Sequence, residues 1–337
     1  MIYALDFSRW KRKPLQQIFS NQTIHFVSDI NDVPSGSELL VWGMRVLPEA
    51  KKRHIALIRV EDGFLRSVGL GTDLIKPLSW VTDRSGIYFD ATRESDLERL
   101  LTHTSFSPEL LERAKKLRTK IVTSGLTKYN TGSHNWIRPA MDKKIILVPG
   151  QVESDASISY GSASIKTNID LLQTVREAHP EAYILYKPHP DVVARMRAKG
   201  QREDEVTRWC DEVIIDAPMG QLLDSIDEVH CLTSLAGFEA LLRSKKVTCY
   251  GHPFYAGWGL TNDVFQISRR SKILMLDELV AGALILYPHY MSRTKESLIS
   301  PEEAIDELIE WQLTSKKHLP WWRKTFRILL RIIVGVR

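Results

Sequence analysis

Five short segments carry residues able to do chemistry, and each follows an apolar run. Glu61, Asp62 and Arg66 lie in VEDGFLR at 60–66, after IALIRV. Paired carboxylates suit group transfer to a hydroxyl, which must lose a proton as it attacks; Asp62-Gly63 is equally ordinary turn chemistry. VPGQVESDAS at 148–157 brings Gln151, Asp155 and Ser157 to the mouth of a second apolar run. Asp155 reads as a nucleophile or as the cap of the next helix. In YKPHPD at 186–191, prolines fix the backbone around Lys187 and His189, with Pro190 following. A rigid loop offering a cation and an imidazole suits a phosphate, although a lone histidine is often structural. Thr233, Ser234 and Gly237 open the helical pattern TSLAGFEALL, where free N–H groups and the helix dipole favour an anion; Ser234 as an N-cap uses the same geometry. YGHPFYAGWGLT at 250–261 either packs on a flat group such as a sugar face or forms a tight crossover. P-loop, HExxH and metal-spaced His/Cys patterns are absent, and GLG at 69–71 is too weak for a dinucleotide fingerprint.

The elements that must hold these segments alternate. Strands are expected at 2–5, 24–27, 39–42 and 55–60, then near 80–82 and 88, before helices at 95–101 and 107–124. The pattern stops over 130–139, where Gly132, Ser133, Asn135 and Pro139 cluster as a linker. It restarts with strands at 144–148, 182–186, 213–215, 228–231 and 246–250, separated by helices at 168–179, 218–226 and 237–244. This rhythm predicts an α/β protein with two Rossmann-like domains, 1–140 and 141–315, each built on a parallel sheet, with ligands in the cleft between them. A chain of 337 residues is long enough for two cores.

Composition narrows the function classes. Hydrophobic residues make up 43% and charged residues 26%, which is globular. The net charge of +5 comes from the end of the chain: residues 316–337 hold seven basic residues and no acidic ones, leaving 39 basic and 41 acidic before them. A near-neutral body without a DNA or RNA motif argues against nucleic acid. Between the tail's cations lie Trp321, Trp322, Phe326, Leu329 and Ile332, a pattern for an amphipathic helix at an anionic membrane interface or for a helix packed on the body. Cys210, Cys231 and Cys249 lack a CxxC and read as small buried apolar groups in a reducing compartment. The N-terminus lacks a secretory pattern and no run reaches the length of a spanning helix, so a cytoplasmic site is expected.

Taken together, the motifs FSRWKR (7–12), LVWG (40–43), EDGFLRSVGLG (61–71), VPGQVESDASI (148–158), KPHPD (187–191), TSLAGFEALLR (233–243) and GHPFYAGWGLT (251–261) resemble the capsule polysaccharide β-Kdo transferases of KpsC/LipA type. The resemblance covers about residues 1–310, and the order of motifs is similar to the C-terminal of the two transferase modules in those tandem enzymes. It implies a GT-B fold and transfer of 3-deoxy-D-manno-oct-2-ulosonic acid (Kdo) from CMP-Kdo, with retention, without a metal and through an enzyme-bound intermediate. Carried over residue by residue, Asp155 matches the nucleophile and Glu61 the acid/base group, with Asp62 in reserve because bacterial sialyltransferases carry a similar EDG-type motif. Lys187, His189 and Pro190 match the motif that holds CMP, and Thr233 and Ser234 the hydroxyl pair at its phosphate. Gln151, Ser157 and Gly237 join this donor-binding set. Arg66 is expected to meet the Kdo carboxylate, and Glu239 either to bind ribose hydroxyls or to brace the cleft.

Two departures stand out. A single module would add one linkage type or act with a partner transferase, and MSRT at 291–294 stands where an Asp-Pro pair is expected. The expected partners are a CMP-sugar donor, a lipid-linked glycan acceptor, the inner face of the inner membrane through residues 316–337, and other capsule-assembly proteins. A CMP-sialate or other CMP-2-keto-sugar transferase, and a non-catalytic capsule-assembly scaffold, remain the alternatives.

Overall fold

The computed structural model of the chain describes residues 1–45, 47–69 and 75–315. The basic tail, and with it the membrane reading, lies outside the described residues, as does most of GLG at 69–71.

Thirteen strands are described: β1 (Ile2–Leu5), β2 (Ile24–Val27), β3 (Glu38–Trp42), β4 (Ala56–Asp62), β5 (Ser79–Asp83), β6 (Ile145–Pro149), β7 (Tyr183–Lys187), β8 (Glu212–Val213), β9 (Glu228–Cys231), β10 (Lys246–Cys249), β11 (Asn262–Asp263), β12 (Pro288–Met291) and β13 (Leu298–Ile299). They form two sheets, ordered β13-β12-β5-β4-β3-β1-β2 and β11-β10-β9-β6-β7-β8. The second sheet is parallel throughout. Its central strand IILVP is buried at every position, the signature of a strand covered on both faces.

The first sheet departs from expectation in two ways. Only β2-β1-β3-β4 is parallel; β5, β12 and β13 extend it antiparallel. Its last two strands come from residues 288–299, so the chain returns to the first sheet and 141–315 is not one continuous unit. The returning segment leads into helix Pro301–Ser315, which packs on helix Pro108–Thr123. Arg113 binds Glu302 in a fork at 2.7 and 2.9 Å across that contact. Sequence periodicity does not register such a return: no strand is expected after 246–250, and a four-residue strand such as β12 is too short to stand out.

Local chemistry sets the helix starts. Ser95 and Ser107 each accept an N–H three residues on, at 3.1 and 3.3 Å, and Pro108 occupies the first turn, as the sequence predicts. The 130–139 segment is pinned, with the Ser133 and His134 amides donating to the Asp216 carbonyl at 3.2 and 3.0 Å.

The two halves share one core. Phe64, from the segment after β4, stacks 4.4 Å from Phe254 and 6.1 Å from Phe238, both of the second half. Phe254, Tyr255 and Trp258 are buried, so 250–261 is the tight crossover and its aromatics face protein. Gly257 and Gly259 take φ +84° and +78°, which makes the crossover possible. All three cysteines are buried and free.

Candidate active site

The carboxyl ends of β4, β6, β7 and β9 deliver the segments singled out above. Glu61 and Asp62 belong to β4 and pair with Val81 and Trp80 of β5, so neither is a turn residue. The strand continues because Gly63 N–H still donates to Ser79 O at 2.9 Å, and a Cβ on Gly63 would strike the Ser79 side chain. Two carboxylates on ladder rungs are held more rigidly than carboxylates on a loop.

Their environments differ. Asp62 is bound by Arg66 Nε at 2.5 Å, and Arg66 also donates from Nη1 to Ser67 Oγ at 3.1 Å. The Arg66 side chain is 7% exposed, so its guanidinium lacks the open face expected of a donor-carboxylate ligand. Glu61 accepts the Asp62 N–H at 2.9 Å and forms no ion pair within 4.0 Å among the described residues. Burial and the neighbouring Asp62 charge push its carboxyl up to about 7, against the pull of Lys128 and Lys11. Lys11, from FSRWKR, lies over the Trp42 ring, 2.9 Å from its centroid, and burial pulls it down to about 8.

On the opposing side, Asp155 occupies the N-cap position of helix Ala156–Gly161, but its side chain caps nothing. It forms an ion pair with Arg197 instead, both side chains about two-fifths exposed. His189 Nδ1 accepts the Asp191 N–H at 3.2 Å, which leaves Nε2 to carry the ring hydrogen. Burial holds His189 below the usual histidine range, so it is neutral at pH 7; Asp191 and Asp155 oppose that shift, and Lys128 and Arg197 add to it. Gln151 is the organiser: its amide donates to Thr233 Oγ1 and accepts the Thr233 N–H, both at 2.9 Å. Ser234 accepts the Ala236 N–H at 3.3 Å as the N-cap of helix Leu235–Leu242. Ser157 and Pro190 lie in the first turns of their short helices.

Lys128 and Tyr129 join the two sides. Burial disfavours the Lys128 charge, yet the Tyr129 and Tyr88 hydroxyls and the Asp62 and Glu61 carboxylates hold it above the usual lysine range, so it remains a cation. Its charge acts on both Glu61 and His189, and Tyr129 sits edge-on to His189 at 6.3 Å. The Lys128 N–H donates to Glu239 Oε1 at 2.7 Å.

Three expected residues have protein partners of their own. Lys187 is directed at the Ile215 carbonyl, at 3.4 Å. Gly237 is buried with its missing Cβ facing the Tyr255 hydroxyl and Cys231 Sγ, so glycine is required there by packing. Glu239 is buried and accepts the Lys128 backbone N–H. Lys11, Lys128, Tyr129 and Arg197 were not singled out from sequence. Lys11 lay inside a quoted motif; the others carry no spacing signal, since contacts across the fold bring them here.

Glu239 carries a pH signature. Burial pushes it up to about 7 from an ordinary 4.5, so the folded state holds its proton more tightly than the unfolded chain. Its contribution is therefore present below about pH 4.5 and lost as pH rises to about 7. Glu239→Gln keeps an acceptor for Lys128 and should remove about 1–2 kcal/mol of that loss, read by urea unfolding at pH 5 and 7.5. An unchanged pH slope would contradict it.

Among the described residues, the side chains grouped closely enough to ligate an ion are His179, Glu228 and His230. Glu228 opens β9, His230 is its third residue, and His179 closes helix Asn168–Ala178 before β7. Glu228 already meets Lys144 at 3.0 Å and Lys246 at 4.0 Å, a charge balance unfavourable to a cation.

Two α/β sheets with the candidate loops at their carboxyl strand ends make a GT-B-like fold of the glycosyltransferase type. The solved structures agree. One, described as the β-Kdo 2,7 transferase of Thermosulfurimonas dismutans KpsC, superposes with TM-score 0.76 at 43% identity over 92% of this chain and 98% of that one. The KpsC β-Kdo 2,4 transferase of the same organism gives 0.78 at 31% identity, over 91% and 97%. Residues 44–290 match the family described as capsule polysaccharide biosynthesis protein, and the chain belongs to that family, in its KpsC/LipA branch. The capsule polysaccharide modification protein LipA of Neisseria meningitidis is 44% identical over 327 residues, 94% of this chain. The chain spans 46% of LipA's length. The lipopolysaccharide-processing protein LpsZ of Rhizobium meliloti is 42% identical over 89% of this chain and 72% of its own length.

Proposed function

We propose that this chain is a retaining β-Kdo transferase that moves Kdo from CMP-Kdo to a hydroxyl of a nascent, lipid-linked surface glycan. The observation that carries the reading is that Lys128 acts on both Glu61, held near neutrality by burial and Asp62, and His189, which also feels the charge of Asp155 beside Arg197, so one buried cation links two carboxylates with different surroundings. Two carboxyl groups of unlike character are what a double displacement requires.

In the first step the Asp155 carboxylate attacks the anomeric carbon and the bond to the CMP phosphate breaks. The phosphate leaves as an anion, met by His189 Nε2–H, by Thr233 and by the N-terminus of helix Leu235–Leu242. In the second step the acceptor oxygen attacks that carbon, its proton passes to Glu61, and Asp155 departs as a carboxylate. Two inversions give retention. Helix dipole and cations stand in for the metal of other sugar transferases, so the reaction is expected to proceed in chelator. Asp62 is assigned to hold Arg66, and Gln151 to hold Thr233.

Incubating the chain with CMP-Kdo and a glycolipid acceptor should give one added Kdo by mass and a β anomeric linkage by NMR. Transfer from CMP-sialate in place of CMP-Kdo would move the assignment to another 2-keto sugar, and CMP binding without any transfer would leave a scaffold.

Among the described residues no helix is long and apolar enough to cross a membrane. The basic, Trp-bearing segment 316–337 is proposed to hold the enzyme on the cytoplasmic face beside its acceptors and other capsule-assembly proteins. Truncation after Ser315 should abolish co-sedimentation with anionic vesicles; retained binding would contradict it.

A further inference from the structure

We infer that Arg197 receives the carboxylate of the 2-keto sugar donor, and that its contact with Asp155 is the resting arrangement of that subsite; the inference rests on the transferase reading above. The anomeric carbon of such a donor bears a carboxylate. A nucleophilic Asp155 must therefore approach an anion, and a cation has to lie between the two. Among the described residues, Arg197 is the cation that touches Asp155. Arg66 is bound to Asp62 and Ser67, and Lys187 is directed at Ile215 O.

Arg197 has the geometry for the task. Its side chain is 42% exposed, and of its N–H donors the Asp155 contact engages Nη2. A planar guanidinium offers five donors and can serve two carboxylates at once. The Met196 and Arg197 amides donate to the Asp191 carbonyl at 2.8 and 3.2 Å, and Arg195 turns the chain at φ +56°. Arg197 is thereby fixed to the loop that carries His189, so one rigid loop would present the phosphate ligand and the carboxylate ligand together.

The test uses the whole chain, and wild-type transfer from CMP-Kdo is measured first. Its absence overturns the transferase reading and this inference with it. With wild type active, Arg197→Gln should lower kcat/KM by about 10²- to 10³-fold, with the dissociation constant for CMP itself within about twofold. Arg197→Lys should recover part of the loss, and added guanidinium should partly rescue Arg197→Ala. Wild-type rates in Arg197→Gln overturn the inference. So does a parallel fall in CMP affinity and melting temperature without rescue, which marks a residue that only holds the loop.

Discussion

Asp155→Ala is expected to reduce transfer by roughly 10⁴-fold or more while CMP still binds. The phosphate contacts proposed for His189 and for Thr233, which Gln151 holds, do not pass through the Asp155 side chain, whose observed partner is Arg197. Its helix also survives the change, because Asp155 occupies the N-cap without capping through its side chain. Loss of activity would then report chemistry. Intact mass of wild type mixed with CMP-Kdo alone should show a one-Kdo adduct that the Asp155→Ala protein lacks. An active Asp155→Ala, or an adduct mapped elsewhere, would dismiss the double displacement.

Glu61→Gln should lower acceptor-dependent turnover by about 10²- to 10⁴-fold and make the Asp155 adduct accumulate, since only the second step needs a base. The pH dependence has a defined sign. Burial and Asp62 lift Glu61 to about 7, and the base is its deprotonated form, so wild-type turnover should fall as pH drops below about 7. Glu61→Gln should flatten that limb. The environment thus places this carboxyl where proton transfer at neutral pH is efficient, whereas Asp62 on the next rung is occupied by Arg66. A variant that loses activity without accumulating adduct would place Glu61 in binding instead.

Much of the site was legible because its residues are local. The carboxylate pair after IALIRV, the Pro-flanked His189 and the hydroxyls before helix Leu235–Leu242 each sit within one strand-to-loop junction, where residue type and position suffice. The structure corrected details that depend on neighbours. Asp62-Gly63 reads as a turn, but β5 pairs with it and draws it into the strand. Arg66 is expected to meet a donor carboxylate, but the fold places its guanidinium on Asp62. The glycine- and aromatic-rich crossover reads as a ligand platform or a packed loop, and contact with Phe64 makes it the latter.

By itself, the sequence determined the α/β rhythm, the strands from β1 to β10, the helix caps and which junctions carry candidate groups, since these depend on periodicities of two and 3.6 and on residues a few places apart; it placed a strand near 88 that the fold lacks and missed β11 to β13. Tertiary structure alone decided that β12 and β13 return to the first sheet, that Lys128 and Tyr129 stand between the halves, and that Arg197 meets Asp155 from 42 residues away. Those outcomes depend on which surfaces are buried against each other, and burial also separates Glu61 from Asp62 although they are adjacent in the chain. Charge and desolvation act through space, so a carboxylate's chemistry was settled only once its neighbours were in place.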